Sequence, residues 1–188
     1  MNMKRSFKIL RPALLSFIVM TVLCGIIYPG VITALSQSLM PSQANGSLIT
    51  VKLKDGASRT LGSALIGQPF TEVRYLIGRP MGVSNLSPTS GEQQGKVRER
   101  AAWWGSLDPV NKQDIPAELV TASGSGVDPN LSPAAAKYQA ARIARARGIP
   151  VKTVNEMIDK YTTARFLGVF GEPAVNVLKV NLALDGLL

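Results

Sequence analysis

The side chains that carry most protein chemistry are scarce in this chain. Of its 188 residues none is histidine and one, Cys24, is cysteine. Zinc sites, Ser-His-Asp catalysis and Cys-His catalysis all need an imidazole or several thiolates. A lone cysteine also closes no intrachain disulfide. Carboxylate and lysine chemistry remain. The one place where hydroxyls gather beside an acid is the run Thr121-Ala122-Ser123-Gly124-Ser125-Gly126-Val127-Asp128. Ser123 or Ser125 with Lys137 on the following segment is the inventory of an anchored serine hydrolase, although nothing in the spacing pairs them. The same stretch, 121–132, would be the site if the chain were a solute-binding module. The plainer alternative is a tight small-residue loop whose Ser132-Pro133 caps a helix. Backbone N–H groups near Ser132 then offer a place for a partner's carboxylate.

Two glycine patterns resemble nucleotide loops and fail on spacing. Gly91-x-x-x-Gly95-Lys96-Val97 has one residue too few between its glycines, and Val97 brings no hydroxyl to magnesium. Gly124-x-Gly126 is a fragment of a dinucleotide fingerprint, with Pro129 where the third glycine belongs. Neither supports a cofactor, so no catalytic, cofactor or metal residue is assigned. Arg142, Arg145 and Arg147 fan around a helix at 100° per residue, which fits solvation or dipole complementarity. Trp103 and Trp104 suit core, interface or partner contact equally.

The elements that must position these residues begin with an apolar segment. Residues 13–35 carry no charge, and as a helix they reach about 34 Å, enough to cross a hydrocarbon core of about 30 Å. Pro12 suits its first turn, and Pro29, whose ring opposes the Gly25 carbonyl, predicts a kink near Gly25. Thr21-x-x-x-Gly25 is a small-residue notch for close approach by another helix, and Thr21, Gly25, Tyr28 and Pro29 are candidate partner contacts. A cleaved signal peptide is the competing reading. It is disfavoured because the apolar run is too long and Ile32-Thr33-Ala34 is a poor cleavage site. Lys4, Arg5, Lys8 and Arg11 precede the segment and the next basic residue is Lys52. The positive-inside bias therefore places residues 1–12 in the cytoplasm and residues 36–188 outside, as a single-pass protein in contact with lipid.

The four leading basic residues account for much of the net charge of +9. The remaining positive charges are interspersed with acids and form no block, so a nucleic-acid partner is not expected. A turn is expected at Asn45-Gly46, a strand over 47–53, a turn at Asp55-Gly56 and a returning arm over 61–66. Residues 67–89 read as ordered loop. Helices are expected over 91–104, over 134–147 ending at Gly148, and from Val151 to Tyr161, the last two forming a hairpin. The apolar tail 174–184 is expected as a buried strand pairing with the early hairpin. The fold class is α+β: one transmembrane helix, then a single extracytoplasmic domain with a small sheet and a helical hairpin in its C-terminal half.

Several runs together resemble one family. They are Leu10-Arg11-Pro12, Gly25-x-x-Tyr28-Pro29, Gln43-Ala44-Asn45-Gly46-Ser47, Gly78-Arg79-Pro80, Ser84-Asn85-Leu86, Ile115-Pro116 through Asp128-Pro129, Ser132-Pro133, and Gly171-Glu172-Pro173 through Leu184-Asp185. Over nearly its full length the chain is similar to the C chain of the Kdp-type potassium-transporting ATPase. One departure is the three-residue connection between Pro80 and Ser84, where many members carry a longer insertion with aromatic residues. The resemblance implies an inner-membrane potassium-uptake complex. In it a channel-like subunit conducts potassium, a P-type subunit binds ATP and Mg and hydrolyses the nucleotide, and this chain performs no bond chemistry and binds no cofactor of its own. It further implies a catalytic chaperone that raises the ATP affinity of the hydrolytic subunit; direct contact of ATP with this chain is left open. An outer domain meets no ATP, so assembly and stabilisation of the complex, with control of potassium entry as a second role, fit the topology better. Ser123, Gly124, Ser125, Gly126, Asp128 and Ser132 join the four anchor residues as partner-contact candidates.

Overall fold

The computed structural model of the protein describes residues 3–52 and 56–188. It divides into two compact units, residues 1–48 and 49–188.

The first unit is helical. α1 (Met3–Val22) runs into a π turn (Leu23–Ile27) and then α2 (Tyr28–Leu39), and a single turn, α3 (Pro41–Ala44), follows. Helix begins well before Pro12, which therefore lies inside α1 and not in its first turn. The chain upstream has Lys, Arg, Met and Leu among its residues, all good helix formers, and carries the helix through the proline. The irregularity expected at Gly25 takes the form of the π turn. Pro29 brings no N–H to the Gly25 carbonyl, and the ladder widens so that the Tyr28 N–H reaches Leu23 O. Residues Ile9–Leu39 form 31 residues of helix long and apolar enough to span a bilayer, about 46 Å. Its apolar side chains, Phe17 and Ile26 among them, are exposed. Asn45 and Gln37 exchange amide hydrogen bonds of 3.0 and 3.2 Å, and Gly46 turns the chain at φ +83° while Asn45 stays at negative φ.

The second unit mixes helix and small sheets. β1 (Leu48–Lys52) pairs with β2 (Ser58–Ser63). The expected turn at Asp55 and the position of Leu53 lie outside the described residues. Ile49 and Val51 face inward while Leu48, Thr50 and Lys52 are exposed, the alternation of a half-buried strand. α4 (Gly91–Leu107) is capped by Ser90, whose Oγ accepts from the Gln93 N–H at 3.2 Å, and it buries Trp104. A 3-10 turn (Ala117–Leu119), β3 (Asn130–Leu131), α5 (Pro133–Tyr138), α6 (Ala140–Arg147), α7 (Val151–Lys160), β4 (Thr162–Thr163), β5 (Ala174–Asn176) and α8 (Val177–Leu184) complete it.

The helix expected over 134–147 is broken at Gln139. There the backbone N–H turns to Ala136 O, and the side-chain Nε2 covers Ala135 O at 3.4 Å. α6 ends at Gly148 in the left-handed region (φ +65°), with the Ile149 N–H returning to Ala144 O at 3.1 Å, the bond that closes a helix C-terminus. α7 folds back, placing Val154 and Ile158 in the core against α5 and α6. Val151, expected on that face, is exposed.

The tail corrects the expected strand. Only Ala174–Asn176 is extended, and it lies between β3 and β4 in an antiparallel sheet with Leu131 and Thr162 opposite Val175. Asn176 then accepts the Lys179 N–H at 3.0 Å and starts α8. A continuous apolar run fits a buried strand and a buried helix alike, and the cap decides for helix. α8 still meets the early strands, through Leu178 and Leu182 on Ile49.

Residues 64–90 contain no helix or strand, yet Leu76 and Ile77 are buried. Their backbone is paired by side chains. Asn181 on α8 accepts the Leu76 N–H at 2.7 Å and donates to Leu76 O at 2.9 Å. Gln139 treats Ile77 likewise, at 2.9 Å in both directions. Arg142 donates to Val73 O and, at 3.0 Å, to Tyr75 O. Far from being solvated, Arg142 is buried, and burial lowers its pKa to about 10, with Asp108 countering. Arg145 pairs with the buried Asp108, and Arg147 donates to Arg74 O and Leu184 O at 2.7 Å and to Asp185 at 2.8 Å. Helix positions that fan apart thus reach three separate groups of acceptors.

Replacing Asn181 with Leu keeps the branched outline of the side chain but strands both Leu76 groups. We expect a loss of about 3 kcal/mol in urea unfolding of the full chain in detergent, with m unchanged. Asp185 gives a pH signature. Burial raises its pKa, but hydrogen bonds from Arg147, Tyr75 and Arg74 outweigh that and hold it below its ordinary value. A depressed carboxyl contributes stability that is complete above the unfolded value of about 3.9 and is lost as pH falls through the folded one. Asp185→Asn should be less stable than the native chain at pH 7 and should show a shallower decline between pH 5 and 2.

Candidate functional site

The loop 121–132 is formed by small residues because neighbouring backbone comes too close for larger ones. Gly126 sits at φ +70°, and a Cβ there would lie 2.6 Å from Gly82 C and Val83 N. A Cβ on Gly67 would lie 2.6 Å from Asp128 O. Backbone bonds stitch the same contacts: the Gly82 N–H donates to Gly126 O at 2.9 Å and the Gly67 N–H to Val127 O at 2.7 Å. The short connection after Pro80 is therefore itself seated on this loop.

Side chains complete the frame. Ser123 is buried, and its Oγ accepts the Gly126 N–H at 3.0 Å and lies 3.3 Å from Ser125 Oγ. Ser125 Oγ accepts the Val127 N–H at 3.2 Å, and Asp128 Oδ1 accepts the Asn130 N–H at 3.0 Å. Arg79 donates to Ala122 O at 3.1 Å and stands 3.8 Å from Asp128. Gly124, Ser125 and Val127 remain exposed. Ser132 caps α5, accepting the Ala135 N–H at 3.2 Å. The carboxylate imagined as a partner's at this position is intramolecular: Glu118 accepts the Ser132 N–H at 3.1 Å and its hydroxyl.

The hydrolase constellation does not form. Lys137 pairs with Asp159 at 2.8 Å, while the Ser123 and Ser125 hydroxyls are engaged within their own loop. The loop borders a cavity at Asn130, beside Leu65, Tyr161 and Thr162. An apolar cavity of about 210 Å³ lies alongside, walled by Phe70, Met81, Arg100, Trp103 and Trp104, and no residue of 121–132 lines it. Trp104 is core, its Nε1 donating to Leu119 O at 3.1 Å, and Trp103 is partly exposed on the cavity rim. Arg100 donates to Val120 O at 2.9 Å, tying α4 to the start of the loop. Among the described residues, no three acidic or cysteine side chains gather in a way that would hold a metal ion.

The anchor candidates belong to the first unit. Thr21 Oγ1 donates to Phe17 O at 2.8 Å, which keeps its hydroxyl paired in apolar surroundings. Gly25 has no atom within 4 Å of a would-be Cβ, Tyr28 is exposed, and Pro29 stands in the first turn of α2. Sequence reasoning missed Arg79, Glu118, Gly82 and Gly67, which hold the loop from outside it. The short spacing after Pro80 was the available signal.

Comparison with known proteins gives one consistent result. The family model described as K+-transporting ATPase, c chain, matches residues 10–186. A potassium-transporting ATPase KdpC subunit of Listeria monocytogenes is 52% identical, covering 98% of this chain and 99% of its own. Those of Clostridium perfringens and Methylococcus capsulatus are 50% and 48% identical, covering 96% and 94% of this chain and 98% and 97% of their own.

The loop geometry makes a graded prediction. Gly126→Ala meets backbone and a left-handed φ and should cost about 2–4 kcal/mol. Gly124→Ala, with nothing within 4 Å, should stay within about 0.5 kcal/mol. Thermal unfolding of the two variants measures the difference.

Proposed function

Because this chain belongs to the family of the K+-transporting ATPase c chain, a subunit of a potassium-transport complex, we propose that it acts there as a non-catalytic subunit that assembles and stabilises the pump. The observation that carries this reading is the engagement of every candidate nucleophile and base in a structural bond. Ser123 and Ser125 hold loop amides, Ser132 caps α5, and Lys137 pairs with Asp159. The loop they build is a rigid form with exposed small residues at Gly124 and Ser125, suited to close approach by another backbone.

The partners on this reading are a channel-like potassium-conducting chain and an ATP-hydrolysing P-type chain. ATP and Mg belong to the latter. The four basic residues ahead of the apolar helix favour a cytoplasmic N-terminus, which puts the α+β unit on the outer face of a bacterial inner membrane on this reading. An increase in the ATP affinity of the hydrolytic chain is then transmitted through contacts between chains, as a coupling between distant sites.

Deleting this chain should abolish potassium uptake at micromolar external potassium and lower the yield of the assembled complex. Normal uptake by a normally assembled complex would refute the role. Topology has its own check. With Cys24→Ser as background, Val110→Cys, on an exposed site, should react in intact spheroplasts with a maleimide that does not cross membranes; reaction only after lysis would reverse the orientation.

A further inference from the structure

Between β4 and β5 the chain projects a hairpin whose tip is apolar. Phe166, Leu167, Val169 and Phe170 are 64–76% exposed. In solution such a cluster is unfavourable, and contiguous exposed apolar surface of this kind marks contact sites. The tip is also rigid. Phe166 and Phe170 exchange backbone bonds of 2.8 and 2.9 Å, and the Gly168 and Val169 N–H groups return to Arg165 O and Phe166 O. Leu167, a branched residue, is held at φ +52° beside Gly168 at +76°. A non-glycine residue in this region costs about 1 kcal/mol or more. Arg165 and Glu172 close the base with an ion pair of 2.6 Å, and Glu172 is largely exposed. The two strands at the root are locked in the three-stranded sheet, so the tip reaches its partner already ordered, at little entropic cost.

We infer that this hairpin tip is an anchor that inserts into an apolar cleft on another chain of the same ATPase, with Arg165 and Glu172 meeting polar groups at the cleft's rim. The inference rests on the subunit reading above. Three features select this occupant. Four such side chains offer on the order of 500 Å², short of the roughly 800 Å² per partner that a free-standing complex needs. That argues against a second copy of this chain. A small anchor suffices when both partners are already held in one membrane assembly, where the contact is effectively intramolecular. An apolar aromatic centre bounded by charges of both signs is the anatomy of a protein contact, whereas the closed Arg165–Glu172 pair, neutral as a whole, gives no attraction to an anionic lipid surface.

The test uses the whole detergent-solubilised complex. A photoreactive benzoyl-phenylalanine in place of Phe170 should cross-link this chain to another chain of the pump. Cross-links to lipid only, to a second copy only, or to nothing would overturn the inference. In parallel, the double variant Leu167→Asp, Phe170→Asp should reduce co-purification with the other chains roughly tenfold or more, with thermal unfolding of the full chain by itself unchanged. Native co-purification of that variant would also overturn it. If the unaltered chain fails to co-purify with any ATPase chain, the subunit reading itself fails and takes this inference with it.

Discussion

A buried peptide group without a hydrogen-bond partner costs about 1–3 kcal/mol, and this domain takes one short stretch of its irregular segment 64–90, at Leu76 and Ile77, through its interior. Everything else follows from how that cost is met. Asn181 and Gln139 each present an amide that pairs with one residue's N–H and C=O together, at Leu76 and Ile77, as a neighbouring strand would. Arg142 covers the Val73 and Tyr75 carbonyls and keeps its charge at neutral pH despite burial, its pKa being about 10. The side chains come from α8 at Asn181 and from the α5–α6 junction and α6 at Gln139 and Arg142. They therefore fasten the two helical parts of the domain through one irregular strip of backbone.

The strip in turn supports the loop 121–132. From either side of Leu76 and Ile77, Gly67, Arg79 and Gly82 reach the loop's carbonyls, and Arg100 on α4 holds the carbonyl just before it. Hydroxyls that would suit a nucleophile in another setting are consumed in closing this loop. Its exposed small residues, Gly124 and Ser125, present backbone at the surface. On the assembly role proposed above, an internally satisfied loop meets its ordering cost during folding and not at contact.

What could be read from the chain depended on whether the relevant signal was local. The apolar span, the Ser132 cap, the Gly148 terminus and the loop character of 67–89 are short-range patterns, and each is present in the fold. The tail was misjudged because Val175, Val177, Leu178 and Val180 suit a strand as well as a helix, and the Asn176 cap was overlooked. Arg145 and Arg147 do lie in the last turn of α6, where they complement its dipole, and Arg145 is exposed; Arg142 departs from the surface reading for a different reason. The spacing of the three gives different faces of a helix, and a surface reading follows unless one knows that Val73, Asp108 and Asp185 wait on those faces from distant parts of the chain.

By itself the sequence determined the class of protein. A charge-free run bounded by basic residues, an inventory without histidine, and a family-specific pattern from Leu10 to Asp185 are properties of composition and order, which no folding alters. Only the tertiary structure decided which polar residues are interior, that Glu118 occupies the helix start at Ser132, and that an apolar hairpin stands clear at Phe166–Phe170. The physical reason is that burial and pairing are relations between residues far apart in the chain. A side chain's type sets what bonds it is able to make, and the fold alone determines which partner is within 3 Å.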